Sequence, residues 1–161
     1  MNGPDDGGVV AARLLTMRII IGALVMGVLT FSAVAVVVRA QGNMRPPPAV
    51  PVISYVAAGQ GVLMLVLQAI VPAAIVAGGR KAIPPGAGTD GWLGLYMTRM
   101  IVGAALLEGA AFTFLMGYMV EGPPWALAGG VAFAALILIL YYPTLDRIER
   151  WAEAQRDAMQ R

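Results

Sequence analysis

Long runs of apolar residues alternate along this chain with short polar segments rich in proline, glycine and arginine. Four runs are long enough to cross about 30 Å of hydrocarbon at about 1.5 Å per helical residue. They are Arg18 to Val38, Val52 to Ala77, Tyr96 to Val120 and Trp125 to Tyr142. The pattern predicts an all-α fold, an integral membrane four-helix bundle with short loops, as a single membrane domain over residues 1–161. Residues 1–13 read as an N-terminal tail and residues 144–160 as an amphipathic C-terminal helix.

Proline and glycine mark the boundaries. Arg45-Pro46-Pro47-Pro48 and Pro51 stiffen the first connection and put proline at a helix start, where its missing N–H costs nothing. Gly78-Gly79 can end the second helix, and Pro84-Pro85-Gly86 with Gly88 keep the next loop from being helical. Pro123-Pro124 open the fourth span and Pro143 closes it, while Pro72 is expected to kink the second.

Beyond Pro143, Thr144 can cap a helix in which Leu145, Ile148, Ala152 and Met159 share a face that Gln155 interrupts. Arg150 falls one turn from both Asp146 and Glu153. This helix either lies along the membrane surface, anchored by Trp151, or pairs with a partner helix. Its brevity favours the surface, because a coiled coil needs about three or four heptads.

Composition agrees with the pattern. The 161 residues are 59% hydrophobic and 12% charged, with a mean hydropathy of +0.76, whereas soluble domains run near half apolar and about a quarter charged. Cys and His are both missing. That removes disulfides, thiolate nucleophiles, cysteine-based metal sites and histidine-ligated haem. Gly78-Gly79-Arg80-Lys81 lacks the spacing of a phosphate-cradling loop, and Gly59-Gln60-Gly61 falls within a span. No metal, no cofactor and no enzymatic activity are expected. Arg13, Arg18 and Val38-Arg39-Ala40 have the outline of a secretory signal, but the apolar run between them is longer than the usual ~7–15 residues and reads as a retained helix.

Arg13, Arg18, Arg80, Lys81, Arg99, Arg147, Arg150, Arg156 and Arg161 share one side of four crossings, leaving Arg39 and Arg45 on the other. Cationic flanks stay inside, so both termini are expected in the cytoplasm. The net charge of +2 then belongs to a bilayer-anchoring pattern and not to nucleic-acid binding. Trp and Tyr favour headgroup depth. Trp92, Tyr96, Tyr141, Tyr142 and Trp151 fall at the expected cytoplasmic ends, and Tyr55, Tyr118 and Trp125 at the opposite ends. Arg18, Arg99, Trp92, Tyr141, Tyr142 and Trp151 are therefore read as membrane-interface anchors, the two arginines snorkelling toward headgroups.

One acid lies inside these spans, Glu108. A charge at the bilayer centre costs on the order of 3 kcal/mol, so such a residue marks a site. Ala105, Gly109 and Thr113 form a small-residue stripe beside it, and Ala126, Gly130 and Ala134 form another on the fourth span; both permit close helix approach. Glu108 should accordingly point into the bundle or a subunit interface. Gln68 lies at a similar depth, with Thr30 and Ser32 slightly deeper. With no cation at that level, the expectation is a neutral, protonated carboxyl donating to Gln68 or to a backbone carbonyl.

Helices one and three match when Arg18 is set against Arg99: Ile20 meets Ile101, Gly22-Ala23 meet Gly103-Ala104, and Phe31 meets Phe112. Helices two and four match through Pro72 with Pro143 and Gly59 with Gly130. A parallel duplication would place Gly27 opposite Glu108.

The segment Arg99-Met100-Ile101-Val102-Gly103-Ala104-Ala105-Leu106-Leu107-Glu108-Gly109-Ala110-Ala111 resembles the carboxylate helix of the rotor-ring proteolipid, the c subunit of rotary ATP synthases. The resemblance implies that Glu108 binds a translocated proton or sodium ion, with Gln68 as neighbour. It is confined to residues 99–111, and the family's polar-loop signature and long glycine repeat are absent from this chain. Two function classes follow. One is a non-enzymatic scaffold or accessory subunit in a homo-oligomer or larger membrane complex, with the lipid bilayer as its other partner. The alternative is proteolipid-like translocation through Glu108.

Overall fold

The computed structural model describes residues 6–42, 48–84 and 89–160 and is all-helical over them. The helices are α1 (Asp6–Ala40), α2 (Val52–Gly79), α3 (Thr89–Glu121), α4 (Pro124–Tyr141) and α5 (Leu145–Gln160), with a 3-10 turn at Arg80–Ala82. The first four are long and apolar enough to cross a membrane. The turns expected at Arg45 to Pro47 and Pro85 to Gly88, together with Arg161, lie outside the described residues.

Two helices begin earlier than the apolar runs do. The tail expected over residues 1–13 is helical from Asp6, and α3 starts at Thr89 rather than Tyr96. Hydrophobic length detects a span, whereas helix length follows local propensity. Ala11-Ala12-Arg13-Leu14-Leu15 contains only strong helix formers. Packing then holds the added turns: Val10 and Leu14 lie against the core, and Trp92 and Leu93 are buried. At Pro72, α2 continues as one helix. The predicted stops at Gly79 and before Pro143, and the start at Pro124, coincide with the helix ends.

α3 is the axial helix. Half of its most apolar window is buried, against 17% for α2. Its packing against α1, α2 and α4 dominates the fold, while α1 and α2 touch only marginally. On one flank, a Cβ at Gly117 would stand 2.9 Å from the Ser54 hydroxyl, so α2 and α3 nearly touch there. On another, Gly130 of α4 lies under Leu115, with the Ala111 carbonyl oxygen 3.3 Å from where its Cβ would be. The α4 stripe Ala126, Gly130 and Ala134 is thus buried, as small residues at a close crossing should be. The α3 stripe is not: Ala105 and Gly109 are exposed. The hairpin α3–α4 is closely packed and α1–α2 is not, so the sequence match between the halves does not extend to equivalent packing.

α5 packs against its own bundle. It docks on the end of the bundle itself, with Ile148 and Ala152 buried and the Trp151 ring edge-on to Tyr96 at 5.3 Å and to Trp92 at 6.1 Å. Gln155 completes this face, because its Oε1 accepts a 2.7 Å hydrogen bond from Arg80 Nε. Thr144 caps the helix as its sequence suggests, Oγ1 accepting from the Arg147 N–H at 3.3 Å. Arg150 donates to the Asp146 backbone carbonyl at 3.1 Å. Leu145 is exposed, and the Met159 side chain is outside the described residues.

Candidate functional site

Met100, Ala104, Leu107, Ala111 and Leu115 recur at helical spacing and are all buried, which fixes the inward face of α3. Glu108 follows Leu107 and is rotated about 100° from it. That places its carboxyl at the rim, where α3 meets α1. Gly27 of α1 makes room for it: a Cβ there would stand 3.7 Å from Glu108 Oε1. One turn further on, Phe31 and Phe112 meet edge-on at 5.3 Å across the groove between α1 and α3. On the opposite side of Glu108 lie exposed Ala105, Gly109 and Met116, with open space around Gly109. Thr113 turns back onto its own helix, donating to the Gly109 carbonyl at 2.9 Å.

Glu108 is half-buried and makes no hydrogen bond or ion pair among the described residues. The expected contact with Gln68 is replaced by another. Gln68 Oε1 accepts from the Tyr141 hydroxyl at 2.7 Å, and the Tyr141 ring reaches it by lying directly over Gly103. The reason is placement around the axial helix: Glu108 faces α1, whereas Gln68 belongs to α2 on another flank. Ser32 is buried and donates to the Val28 carbonyl at 2.8 Å within α1, while Thr30 is exposed. The fold therefore joins Glu108 to Gly27 and not to Gln68, Thr30 or Ser32. No group of three or more acids able to share a metal ion occurs among the described residues.

The residues read as interface anchors divide. Arg18 and Tyr142 are exposed, the guanidinium 5.9 Å from the ring centroid. Arg99 is half-buried. Trp92 and Tyr141 stand at the expected helix ends but are packed inside, and Trp151 is half-buried between α5 and α3.

A polar clasp at the opposite end was not anticipated from the sequence. Glu121, buried at the end of α3, accepts from the N–H groups of Ile53 and Ser54 and from the Ser54 hydroxyl, each at 2.8 Å. An acid at the C-terminus of its own helix opposes that dipole, but it suits the open N–H groups at the start of α2. Arg39 donates to the carbonyls of Met119, Val120 and Glu121 at 3.2–3.4 Å, filling the acceptors that α3 leaves unpaired. Gly122 turns the chain at φ +86° directly beneath that guanidinium. The misplaced acid before Gly122-Pro123-Pro124 was the available signal. No protein-family model, curated protein or solved structure matches this chain, so the site rests on its own geometry.

Proposed function

We propose that the chain is an integral membrane four-helix bundle with both termini in the cytoplasm, acting as a non-enzymatic scaffold or accessory subunit. In this reading the α1–α3 groove receives a transmembrane helix of a second copy or of a larger complex, and Glu108 offers it a hydrogen bond. One observation carries the reading: a mid-span carboxyl, half-buried against Gly27 and without a hydrogen-bond or ion-pair partner among the described residues, beside an exposed small-residue strip. In hydrocarbon an unsatisfied polar group costs on the order of several kcal/mol, and small residues let a second backbone come close enough to supply the partner.

The half-open position of Glu108 also favours a second reading, proton or sodium exchange at the carboxyl. Glu108→Gln separates the two. Reconstituted into liposomes, a translocator conducts protons or sodium as wild type and loses flux in the variant. A scaffold shows no flux in either protein. Its assembly in mild detergent survives Glu108→Gln, which can still hydrogen-bond, and breaks up in Glu108→Ala. Assembly indifferent to both substitutions would remove the scaffold reading.

A further inference from the structure

Two arginines from two helices converge where α4 passes into α5. Arg147 Nη1 donates to the Ile139, Leu140 and Tyr142 carbonyls at 3.1–3.4 Å. Arg18 Nε, coming from α1, donates to the next carbonyl, that of Pro143, at 3.4 Å. Against these two cations the junction from Tyr142 to Arg147 holds one acid, Asp146.

The carbonyls of α4 do not use up these donors. A guanidinium carries five N–H groups, and these contacts engage one nitrogen of Arg18 and one of Arg147, both exposed side chains. Tyr142 is exposed beside Arg18, and Leu138 and Leu145 present exposed apolar surface on either side of the junction. Paired guanidiniums match a phosphate bidentately, and basic clefts at helix ends suit anionic headgroups. Exposed apolar surface flanking the junction distinguishes a lipid from a free ion, because it offers the acyl chains a place to lie.

We infer that Arg18 and Arg147 form a discrete site for the phosphate of an anionic phospholipid, whose chains run along Leu138. The inference rests on the membrane-spanning reading. Retention of the protein in membranes washed with alkaline carbonate reports on that reading separately.

The test is native mass spectrometry of the purified protein titrated with phosphatidylglycerol or phosphatidylcholine in mixed micelles, with inorganic phosphate as a competitor. Wild type should retain phosphatidylglycerol in preference to phosphatidylcholine, and millimolar phosphate should not displace it. Losing charged hydrogen bonds from both side chains in Arg18→Gln/Arg147→Gln should weaken retention about tenfold or more. The charge-matched Lys81→Gln/Arg150→Gln should keep it. Because Arg147 also caps α4, Arg18→Gln alone is read in parallel and should lose severalfold while melting like wild type. Equal loss in the charge-matched pair would reveal a diffuse field in place of a site. Displacement by phosphate, no headgroup preference, or unchanged retention in Arg18→Gln would each overturn the inference.

Discussion

Gly27 and Glu108 meet across parallel helices at a sequence separation that recurs at two further contacts. A Cβ on Gly27 would lie 3.7 Å from Glu108 Oε1, and Phe31 meets Phe112 at the same offset. Arg39 reaches the Val120 carbonyl, again 81 residues on. α1 and α3 therefore run side by side in register, and the absent side chain at Gly27 is what leaves room for the acid.

Size at position 27 should decide where the carboxyl goes. Gly27→Ala puts a methyl at ordinary contact distance and adds up to about 1 kcal/mol of helix propensity, so stability should hold or rise. Gly27→Leu fills the groove and should drive Glu108 outward. Labelling by a hydrophobic carbodiimide checks this, with the leucine variant reacting faster than wild type and the alanine variant unchanged.

Tyr141 ties three helices by crossing Gly103 to reach Gln68. Tyr141→Phe removes one hydrogen bond and should cost about 0.5 to 1 kcal/mol. Gly103→Val displaces the ring altogether and, as overpacking, should cost ~1–3 kcal/mol. Denaturant unfolding in detergent should rank the two in that order, and Tyr141→Phe should add little once Gly103→Val is present.

Gly122 is expected to tolerate no side chain. Alanine there must hold a left-handed backbone, at about 1 to 2 kcal/mol, and it also collides with Arg39. Loss of stability in Gly122→Ala should therefore be partly relieved by Arg39→Ala, a non-additivity that thermal melts can measure. Glu121→Gln should be milder than Glu121→Ala, since the amide oxygen can still accept from the start of α2.

At the other end, Arg80→Ala and Gln155→Ala should be coupled. Their double-mutant cycle is expected to yield about 1 kcal/mol. Independent effects would mean that α5 docks through Trp151, Ile148 and Ala152 alone.

These contrasts show where the sequence was readable. The number of long apolar helices, the stops at Gly79 and Pro143 and the cap at Thr144 are local properties, written in runs of apolar residues and in proline, glycine and threonine. The neighbours of Glu108 are not local. A stripe of small residues looks the same whether it meets another helix, as Gly130 does, or faces outward, as Gly109 does. Likewise Gln155 reads as a flaw in an apolar face until Arg80, 75 residues earlier, is brought to it. Which flank of α3 each helix takes is a tertiary fact, and it turned the expected Gln68 contact toward Tyr141.

The central claim is that the face around Glu108 is where the same helix of a second copy docks. The chain has no cysteine, so single cysteines can be introduced without background and oxidised in native membranes. Ala105→Cys and Gly109→Cys should form a discrete cross-linked species that disappears when Glu108→Ala is added, whereas Val62→Cys, on the exposed face of α2, should not. Absence of that species at both groove positions, or its equal appearance at Val62, would contradict the claim.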